Sequence, residues 1–402
     1  MKEGLPEPLG STAGALLHLV RTGRATTRAD LAVMTGLARS TVSQRVDQLI
    51  EAGLLLQAGE APSTGGRPPM KLAFNGHAGV VLAADLGATH ARLAVTDLTA
   101  VPLAELAEDI DIARGPDAVL GWVIDGFAEL LRRTGRRASD VWGIGVGLPG
   151  PVEFAAGRAV SPPIMPGWDG VAVPDVFTAV YDVPVLVDND VNIMALGEYW
   201  ARYRDDVNDL LFIKVGTGIG AGLISSARIQ RGAQGAAGDM GHVQVPDHPD
   251  ALCRCGNFGC LEAVAGGGAL AGELRSLGYS AETSRDVVRL VRSGNPDAAR
   301  LVREAGRVLG DMLATAVNLL NPAVIVLGGT VAQAHEQLLA GVREIIYQRS
   351  LPLATRHLRI VRSTLDDSAG IIGAAVMMIE ELLDPRRIDG LLTGTDVTPA
   401  PA

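Results

Sequence analysis

The chain has 402 residues, which is enough for two or three domains with separate hydrophobic cores. Apolar residues make up 48% of it and charged residues 20%, so the composition excludes an intrinsically disordered protein. The formal net charge of −10 argues against nucleic-acid binding if it is taken over the whole chain. Residues 1–80, however, hold eight Lys and Arg against six Asp and Glu, whereas the remainder holds 27 against 39. A mildly basic N-terminal segment therefore precedes an acidic body.

Two features bear on the compartment and on membranes. Residues 1–8 contain acids and prolines where a secretory signal peptide has a basic start and an apolar run. The uncharged stretch Met312–His335 is long enough for a membrane span, but Asn321-Pro322 and Gly328-Gly329 divide it into a predicted helix, turn and buried strand. The three cysteines lie between residues 253 and 260, which is typical of metal ligands and fits a reducing compartment. We therefore expect a cytoplasmic protein.

Residues 10–75, called the head below, are predicted to form a winged helix-turn-helix domain. Three segments with helical spacing of apolar residues each follow a pair of hydroxyl residues that can cap a helix. The strand that begins after Gly53 is predicted to pair with Leu72–Phe74. The three capping pairs are Ser11-Thr12, Thr26-Thr27 and Ser40-Thr41.

The third helix of the head and the loop after it have the side chains of a DNA-binding surface. Hydroxyl, amide and guanidinium groups on one face of this helix can reach phosphates and base edges. The Gly- and Pro-rich loop Ser63–Pro69 places Arg67 where it could enter a narrow minor groove. A small three-helix domain with a polar surface, followed by a plain linker, is the alternative. Operator DNA is the predicted partner, contacted by Arg39, Ser40, Thr41, Ser43, Gln44, Arg45 and Arg67.

Two Gly-rich hairpins of similar design lie about 130 residues apart. The first follows a strand that ends at Asp85, and the second, Gly216–Gly220, follows the strand Leu210–Val215. Such turns present backbone N–H groups and a hydroxyl to phosphates, and a nearby carboxylate can hold a metal ion through water. Their repetition predicts two duplicated lobes that clamp a ligand between them.

Between the hairpins, the strand Val185–Val187 delivers Asp188, Asn189 and Asp190 to the start of a helix. Open α/β sheets bind ligands at such strand ends, and a carboxylate there can accept the proton of a substrate hydroxyl that attacks a phosphate. Capping of the helix by Asp188 or Asp190 is the alternative, and the spacing alone favours it.

A histidine and three cysteines form the most specific pattern in the chain. Three thiolates and one imidazole complete a tetrahedral zinc site and leave no position for water, so the metal would be structural. Free thiols are the alternative. We expect the zinc to stiffen a Gly-rich loop and to orient Asp239 and Glu262 beside it. The second ring nitrogen of the histidine would be free to donate to a ligand oxygen. The predicted zinc ligands are His242, Cys253, Cys255 and Cys260.

These motifs resemble those of the ROK family (repressors, open reading frames and sugar kinases) over residues 10–384. The resemblance rests on the loop Cys253-x-Cys255-Gly256-x-x-Gly259-Cys260-x-Glu262 and on Gly216–Gly220 together with Gly238–His242. Gly66-Arg67-Pro68 resembles the regulator branch of the family. The resemblance implies an α/β fold, actin-like and ribonuclease H-like, with two lobes and a sugar bound in the cleft between them.

The resemblance also implies domain limits and roles for individual residues. We expect the first lobe at 79–188, the second at 189–384 with the zinc loop, and a last helix that returns to the first lobe. Residues 385–402 are expected to be a disordered tail. Asp190 matches the general base of the family's kinases, and Gly167-Trp168 resembles a substrate-loop position. The sugar ligands would be Asn189, Asp190, Asp239, His242 and Glu262, and the nucleotide ligands Asp85, Gly87, Thr89, Thr217, Gly328 and Gly329.

Three positions depart from the usual pattern of the family's kinases. Ala88 replaces a glycine of the first hairpin, His90 stands where a basic residue usually follows, and Asp239 stands in place of Glu. Retention of Asp85, Gly87 and Thr89 leaves kinase activity neither established nor excluded.

We predict a sugar-responsive transcriptional regulator, most simply a repressor of carbohydrate-metabolism genes, that binds operator DNA as a homodimer or homotetramer. Its cofactor would be structural Zn²⁺. The alternative is an ATP-dependent, glucokinase-like sugar kinase with an accessory DNA-binding head, which would also need Mg²⁺ and ATP.

Overall fold

A computed structural model describes residues 12–60, 70–334 and 336–394. The loop that carries Arg67 lies outside these residues. In the head, three helices are closed by a two-stranded antiparallel sheet in which Leu55 pairs with Phe74 and Gln57 with Leu72. This sheet confirms the predicted strand pairing. The elements of the head are α1 (Ala13–Arg21), α2 (Arg28–Thr35), α3 (Arg39–Glu51), β1 (Leu55–Glu60) and β2 (Met70–Phe74).

Hydroxyl caps begin two of the three head helices. The Thr12 side chain accepts a hydrogen bond from the Ala15 N–H, and Thr27 forms a reciprocal capping box with Asp30. The prediction that Ser40 or Thr41 caps α3 is wrong, because α3 begins at Arg39 and both residues lie in its first turn. Gly36 ends α2 in the left-handed conformation, so the turn needs only two further residues before the next helix begins.

The first lobe is built on a five-stranded sheet with the order β5-β4-β3-β6-β9. The strands β3, β6 and β9 are parallel, so their carboxyl ends meet at one edge of the sheet, whereas β4 and β5 return antiparallel. Every residue of β3 is buried, which explains its continuous apolar run. The elements of this lobe are β3 (Val80–Leu86), β4 (Ala91–Asp97), β5 (Pro102–Glu108), α4 (Pro116–Thr134), β6 (Val141–Leu148), β7 (Val152–Glu153), β8 (Arg158–Ala159), α5 (Val173–Thr178) and β9 (Val185–Asn189).

The second lobe repeats this sheet. Its order, β12-β11-β10-β13-β14, has the same two antiparallel and two parallel neighbours around the first strand. A helix, α6, connects the lobes and continues as a π-helix over Tyr199–Tyr203. The elements are α6 (Asp190–Glu198), β10 (Leu210–Val215), β11 (Ile219–Ser225), β12 (Arg228–Gln230), α7 (Leu261–Ala265), α8 (Gly267–Ser276), α9 (Ser284–Arg292), α10 (Pro296–Leu320), β13 (Val324–Gly328), α11 (Glu336–Arg349), α12 (Pro352–Thr355) and β14 (Arg359–Arg362).

The uncharged stretch that begins at Met312 forms the end of α10, a turn and the buried strand β13. Asn321 ends the helix in the left-handed conformation with a φ of 46°. Within residues 12–60, 70–334 and 336–394, no helix combines the length and the apolar character that crossing a membrane requires.

The next helix, α13 (Ala369–Leu382), lies against α6 and against β3 and β6 of the first lobe. Glycines allow this close packing: a Cβ at Gly373 would overlap the Ile193 carbonyl oxygen, and one at Gly145 would overlap the Ala374 carbonyl oxygen. The helix α6 begins at the end of β9. Because α13 packs on α6, α13 also lies close to the edge where the parallel strands end.

The expectation of a disordered tail from residue 385 is wrong for residues 385–394. Pro385–Thr393 form a further helix, α14, in which Ile388 is buried. The helix packs on α1, where the Gly14 N–H donates a 2.8 Å hydrogen bond to Asp389. An isolated segment gives no sign of this structure, because its apolar face is covered by the head and by the end of α13. Residues 395–402 lie outside the described part of the chain.

Candidate functional site

A cleft of about 1220 Å³ lies between the two lobes, at the edge where β3, β6 and β9 end and opposite the hairpin β10–β11. Most of the predicted ligand-binding residues line it, although they come from widely separated parts of the chain. Gly87, Gly328 and Trp168 do not line it. The predicted residues that do are Asp85, Thr89, Asn189, Asp190, Thr217, Asp239, His242, Glu262 and Gly329.

Asn189 joins the cleft to α6. Its Oδ1 accepts hydrogen bonds from the backbone N–H groups of Val191 and Asn192, and its Nδ2 donates to the Gly150 carbonyl oxygen. Asn189 is therefore the cap of α6, and the interpretation that Asp188 or Asp190 caps this helix is wrong. The amide group is held in one orientation and keeps one N–H for a ligand.

Asp188 is buried and connects the lobes. Its Oδ2 accepts a 2.7 Å hydrogen bond from Arg231, which follows β12 in the second lobe, and its Oδ1 accepts one from Asn192. The Arg231 guanidinium also lies 3.7 Å from the centre of the Phe154 ring. Sequence reasoning missed Arg231, because the two charges are far apart along the chain.

Asp190 forms an ion pair with Lys214 on β10. Their Nζ and Oδ2 atoms are 2.5 Å apart, and the Asp190 side chain is 6% exposed. Burial lowers the pKa of Lys214, but the charges of Asp190 and Asp85 outweigh that effect, so its pKa lies above the ordinary value. The ammonium group is therefore charged. The sequence did not predict a role for Lys214, because a single lysine near the end of a strand forms no recognisable motif.

Asp85 lies at the end of β3 and is buried. Burial raises the pKa of its carboxyl group to about 7, although the charge of Lys214 acts in the opposite direction. A Cβ at Gly370, on α13, would overlap the Asp85 carboxylate. Asp85 therefore lies between the cleft and the start of α13.

The first hairpin is closed by its own residues. The Gly87 N–H donates a 2.8 Å hydrogen bond to the His90 carbonyl oxygen, and the His90 ring lies so close to Gly87 that a Cβ there would overlap it. Burial lowers the pKa of His90 to about 4, so the imidazole is neutral at pH 7. Ala88 does not adopt a left-handed φ, so the alanine at this turn causes no backbone strain.

Glu262, His242 and Asp239 lie side by side beneath the second hairpin. The Glu262 carboxylate accepts a hydrogen bond from the Ile219 N–H, and a Cβ at Gly218 would overlap its Oε2. The His242 Nε2 lies 3.9 Å from an Asp239 oxygen. The hairpin glycine thus allows the backbone to approach Glu262, which lies on α7 directly after the cysteine loop.

The predicted metal ligands converge, since their four ligand atoms all lie within 4.8 Å of one another. The Cys253 sulfur is 3.6 Å from Nδ1 of His242, and the sulfurs of Cys255 and Cys260 are 3.7 Å apart. Tetrahedral zinc with Zn–S bonds of about 2.3 Å requires sulfur–sulfur distances of about 3.8 Å, so the residues fit this metal. Nδ1 faces the cysteines, and Nε2 is directed towards Asp239.

Two residues that the resemblance singled out have packing roles. Trp168 is fully buried in the first lobe, where its indole N–H donates to the Ile112 carbonyl oxygen. Gly328 packs against the Phe212 ring, with no space for a Cβ. Its neighbour Gly329 adopts a φ of 83° and lines the cleft.

In the head, α3 presents a polar face. Val42, Val46 and Leu49 are buried against the rest of the domain, so the opposite side of the helix faces outward. Among the residues predicted to contact DNA, Arg39, Ser40 and Gln44 are exposed, and Thr41, Ser43 and Arg45 are half-buried.

Comparison with known proteins identifies the family. The ROK family model matches residues 81–381. The chain belongs to the ROK family. The model of the MarR family matches residues 7–65, so the ROK body follows an N-terminal winged-helix domain of that type.

Individual ROK proteins agree with this assignment. A xylose repressor from Caldicellulosiruptor bescii is 28% identical over 381 residues, which are 92% of this chain and 95% of the repressor. The crystal structure of a ROK transcriptional regulator, a homologue of the E. coli Mlc protein, has a TM-score of 0.79 and 28% identity, and covers 95% of this chain and 97% of its own.

A ROK glucokinase from Streptomyces griseus, solved with glucose and AMPPNP, covers 74% of this chain and 99% of its own, with a TM-score of 0.65 and 25% identity. The predicted actin-like fold is thereby confirmed.

Proposed function

We propose that the protein is a sugar-responsive, DNA-binding transcriptional repressor of carbohydrate-metabolism genes that acts in the cytoplasm. The observation that carries this proposal is the combination, in one chain, of a head with an outward polar helix and a ROK body with a ligand-sized cleft. Relatives that match nearly the whole chain, head included, are named as repressors or transcriptional regulators, which supports this combination over a kinase with an accessory domain.

The sugar would bind at the inner end of the cleft. Carboxylate, amide and imidazole groups can each form directed hydrogen bonds with sugar hydroxyls, and charged partners form the stronger ones. The fixed orientations of Asn189 and Glu262 support this role, because a preorganised site loses little entropy when the ligand arrives. The proposed sugar ligands are Asn189, Asp190, Asp239, His242 and Glu262.

A structural zinc ion would hold the loop beside these residues. Bound by His242 through Nδ1 and by three thiolates, it would fix the imidazole so that Nε2 is available to a sugar hydroxyl. Four protein ligands leave the metal no open position, so its role is to position the neighbouring side chains.

DNA would be bound by the outward face of α3 and by the wing loop that contains Arg67. One head reads one half-site, so an oligomer with two heads would bind a two-fold operator. The direct contacts would be made by Arg39, Ser40, Thr41, Ser43, Gln44, Arg45 and Arg67.

The sugar would act on DNA through the helices that join the cleft to the head. The helix α6, which Asn189 caps, begins at the cleft. Its π-helical continuation contains Trp200, whose ring centre is 5.8 Å from the Arg21 guanidinium of α1. Closure of the lobes on a sugar would move this helix and change the position of the head. The sugar can shift this equilibrium only by its difference in affinity for the two arrangements.

A DNA mobility shift titrated with sugars tests the proposal. The probe is a DNA fragment selected by binding to the protein, and the sugars are a panel that includes D-xylose and D-glucose. We expect one sugar to change the DNA affinity at least tenfold. Glu262→Gln should keep the DNA affinity but lose that response, whereas Glu273→Gln, an exposed carboxylate on α8, should keep both. DNA affinity that is indifferent to every sugar would disprove the sugar-responsive part.

A further inference from the structure

We propose that Lys214 takes the place of the divalent cation in this cleft, so that the chain binds its sugar without Mg²⁺·nucleotide and does not phosphorylate it. The inference rests on the proposed sugar site and specifies the ligand as a neutral monosaccharide. Three features of the cleft do not suit a bound Mg²⁺ ion with a nucleotide.

The first feature is at Asp190. A general base accepts the proton of a sugar hydroxyl less readily when a cation is paired with its carboxylate, because the cation stabilises the charged form. The Lys214 ammonium lies 2.5 Å from Oδ2 of Asp190 and holds this carboxylate as its own counter-ion. The lysine side chain is only 17% exposed and lies on β10, the central strand of its sheet, so water screens the ion pair little. Oδ1 remains as an acceptor for a sugar hydroxyl.

The second feature is at the place of the divalent cation. Asp85 and Asp190 are two buried carboxylates of the cleft that could hold Mg²⁺ through water, and the charge of Lys214 acts on both. The Lys214 ammonium group already compensates the negative charge of these buried carboxylates. A divalent cation at the same place would be repelled by it, and either the lysine or the metal would have to leave.

The third feature is at the first hairpin. Phosphate binding at a Gly-rich turn needs open backbone N–H groups. The Gly87 N–H is already bonded to the His90 carbonyl oxygen, and the neutral His90 ring covers this glycine. The Gly87 N–H is thus not available to a phosphate, and from the opposite lobe Lys214 neutralises a carboxylate that Mg²⁺ would need.

Calorimetric titration of the full-length protein with Mg²⁺·AMPPNP, and measurement of ADP formed from ATP with D-glucose or D-xylose, test this proposal. The wild type should show no nucleotide binding up to millimolar concentration and no sugar-dependent ADP. Lys214→Thr should gain binding of Mg²⁺·AMPPNP at least tenfold above the wild type. Lys71→Thr, an exposed lysine on β2, is the matched control and should remain like the wild type.

Lys214→Arg keeps the positive charge beside Asp190 and should also bind no nucleotide. A gain that is confined to Lys214→Thr is therefore due to loss of that charge. Sugar-dependent ADP formation by the wild type that is lost in Asp190→Asn would overturn the proposal. Equal nucleotide binding by the wild type and Lys214→Thr would do so as well. If DNA binding proved indifferent to sugars while the wild type still bound no nucleotide, the sugar-responsive part of the proposed function would fail and the present inference would stand.

Discussion

Arg21 of α1 and Glu380 of α13 join the head to the first lobe by a hydrogen bond of 2.7 Å. The arginine side chain is 8% exposed, and its guanidinium also faces the Trp200 ring on the π-helix. The two contacts of Arg21 therefore connect the head with α13 and with the π-helical continuation of α6. A half-exposed ion pair of this kind contributes at most about 1 kcal/mol to stability, so its importance lies in where it holds the head.

Replacement of Arg21 by Met should uncouple DNA binding from the sugar. The head would lose its polar contact with α13 and its cation–π contact with Trp200, while the cleft would be unchanged. We expect the sugar Kd from calorimetry to stay within about twofold and the effect of sugar on DNA affinity to fall by about tenfold, equivalent to about 1.4 kcal/mol of coupling. Arg24→Met, on an exposed neighbour, is the control. An unchanged sugar response would show that the coupling takes another route.

The zinc site should contribute to both stability and sugar binding. Metal analysis should find one zinc per chain, and Cys255→Ser should lower the melting temperature and weaken sugar binding together, because the loop orients His242 and Glu262. His248→Ala, an exposed histidine of the same loop, should retain the metal. A metal-free protein that is folded and binds sugar normally would contradict this prediction.

Gly218→Ala should damage the sugar site without unfolding the lobe. The added methyl group overlaps Oε2 of Glu262 and must push this carboxylate aside, so we expect sugar affinity to fall at least tenfold. Gly121→Ala is a matched control, because its methyl group meets no neighbour on α4 and should raise stability by about 0.5–1 kcal/mol. Equal sugar affinity of both variants would show that Glu262 is not a sugar ligand.

Asp85 should make stability fall as pH rises. Its pKa is about 7 in the folded protein and about 4 when unfolded, so the native state binds more protons between these values. The stabilisation is complete below pH 4 and is lost as pH rises through 7. Asp85→Asn should therefore melt at a higher temperature than the wild type at pH 8, and the difference should shrink at pH 5. Parallel melting curves at both pH values would contradict this assignment.

Arg67→Ala should weaken DNA binding most at A·T-rich flanks. A narrow minor groove has the most negative potential, so an arginine inserted there discriminates between flanking sequences. Mobility shifts on operator fragments with A·T-rich and G·C-rich flanks measure the difference. An equal loss on both would mean that Arg67 contacts a phosphate instead.

Local patterns were predictable from the sequence because their partners are close along the chain. The three cysteines lie within eight residues, and the strand that ends at Asp85 precedes its own hairpin, so spacing alone indicated both. The caps of α3 and α6 were misplaced by one to three residues, because several polar side chains lie near each helix start. The backbone conformation determines which residue is the N-cap, and the N-caps are Ala38 for α3 and Asn189 for α6.

Contacts between distant parts of the chain were not predictable from a single sequence. Lys214 and Asp190 are 24 residues apart along the chain, and Arg231 and Asp188 are 43 apart, and no local rule pairs one charge with another at such a separation. The helix α14 was missed for the same reason, because the face that contains Ile388 is buried only by packing against α1, which is distant along the chain, and against the end of α13.

The hydrophobic core of the head continues into the first lobe, with Leu16 of α1 and Met378 of α13 in one buried cluster. The DNA-binding head and the ligand-binding lobes are thus packed against each other and do not form independent domains. A chimaera that grafts residues 12–75 onto an unrelated ligand-binding protein would leave the apolar side of α1 exposed to water. Such a graft would have to include α13 and α14, so recombination of this DNA-binding specificity with a new sensor is constrained by packing.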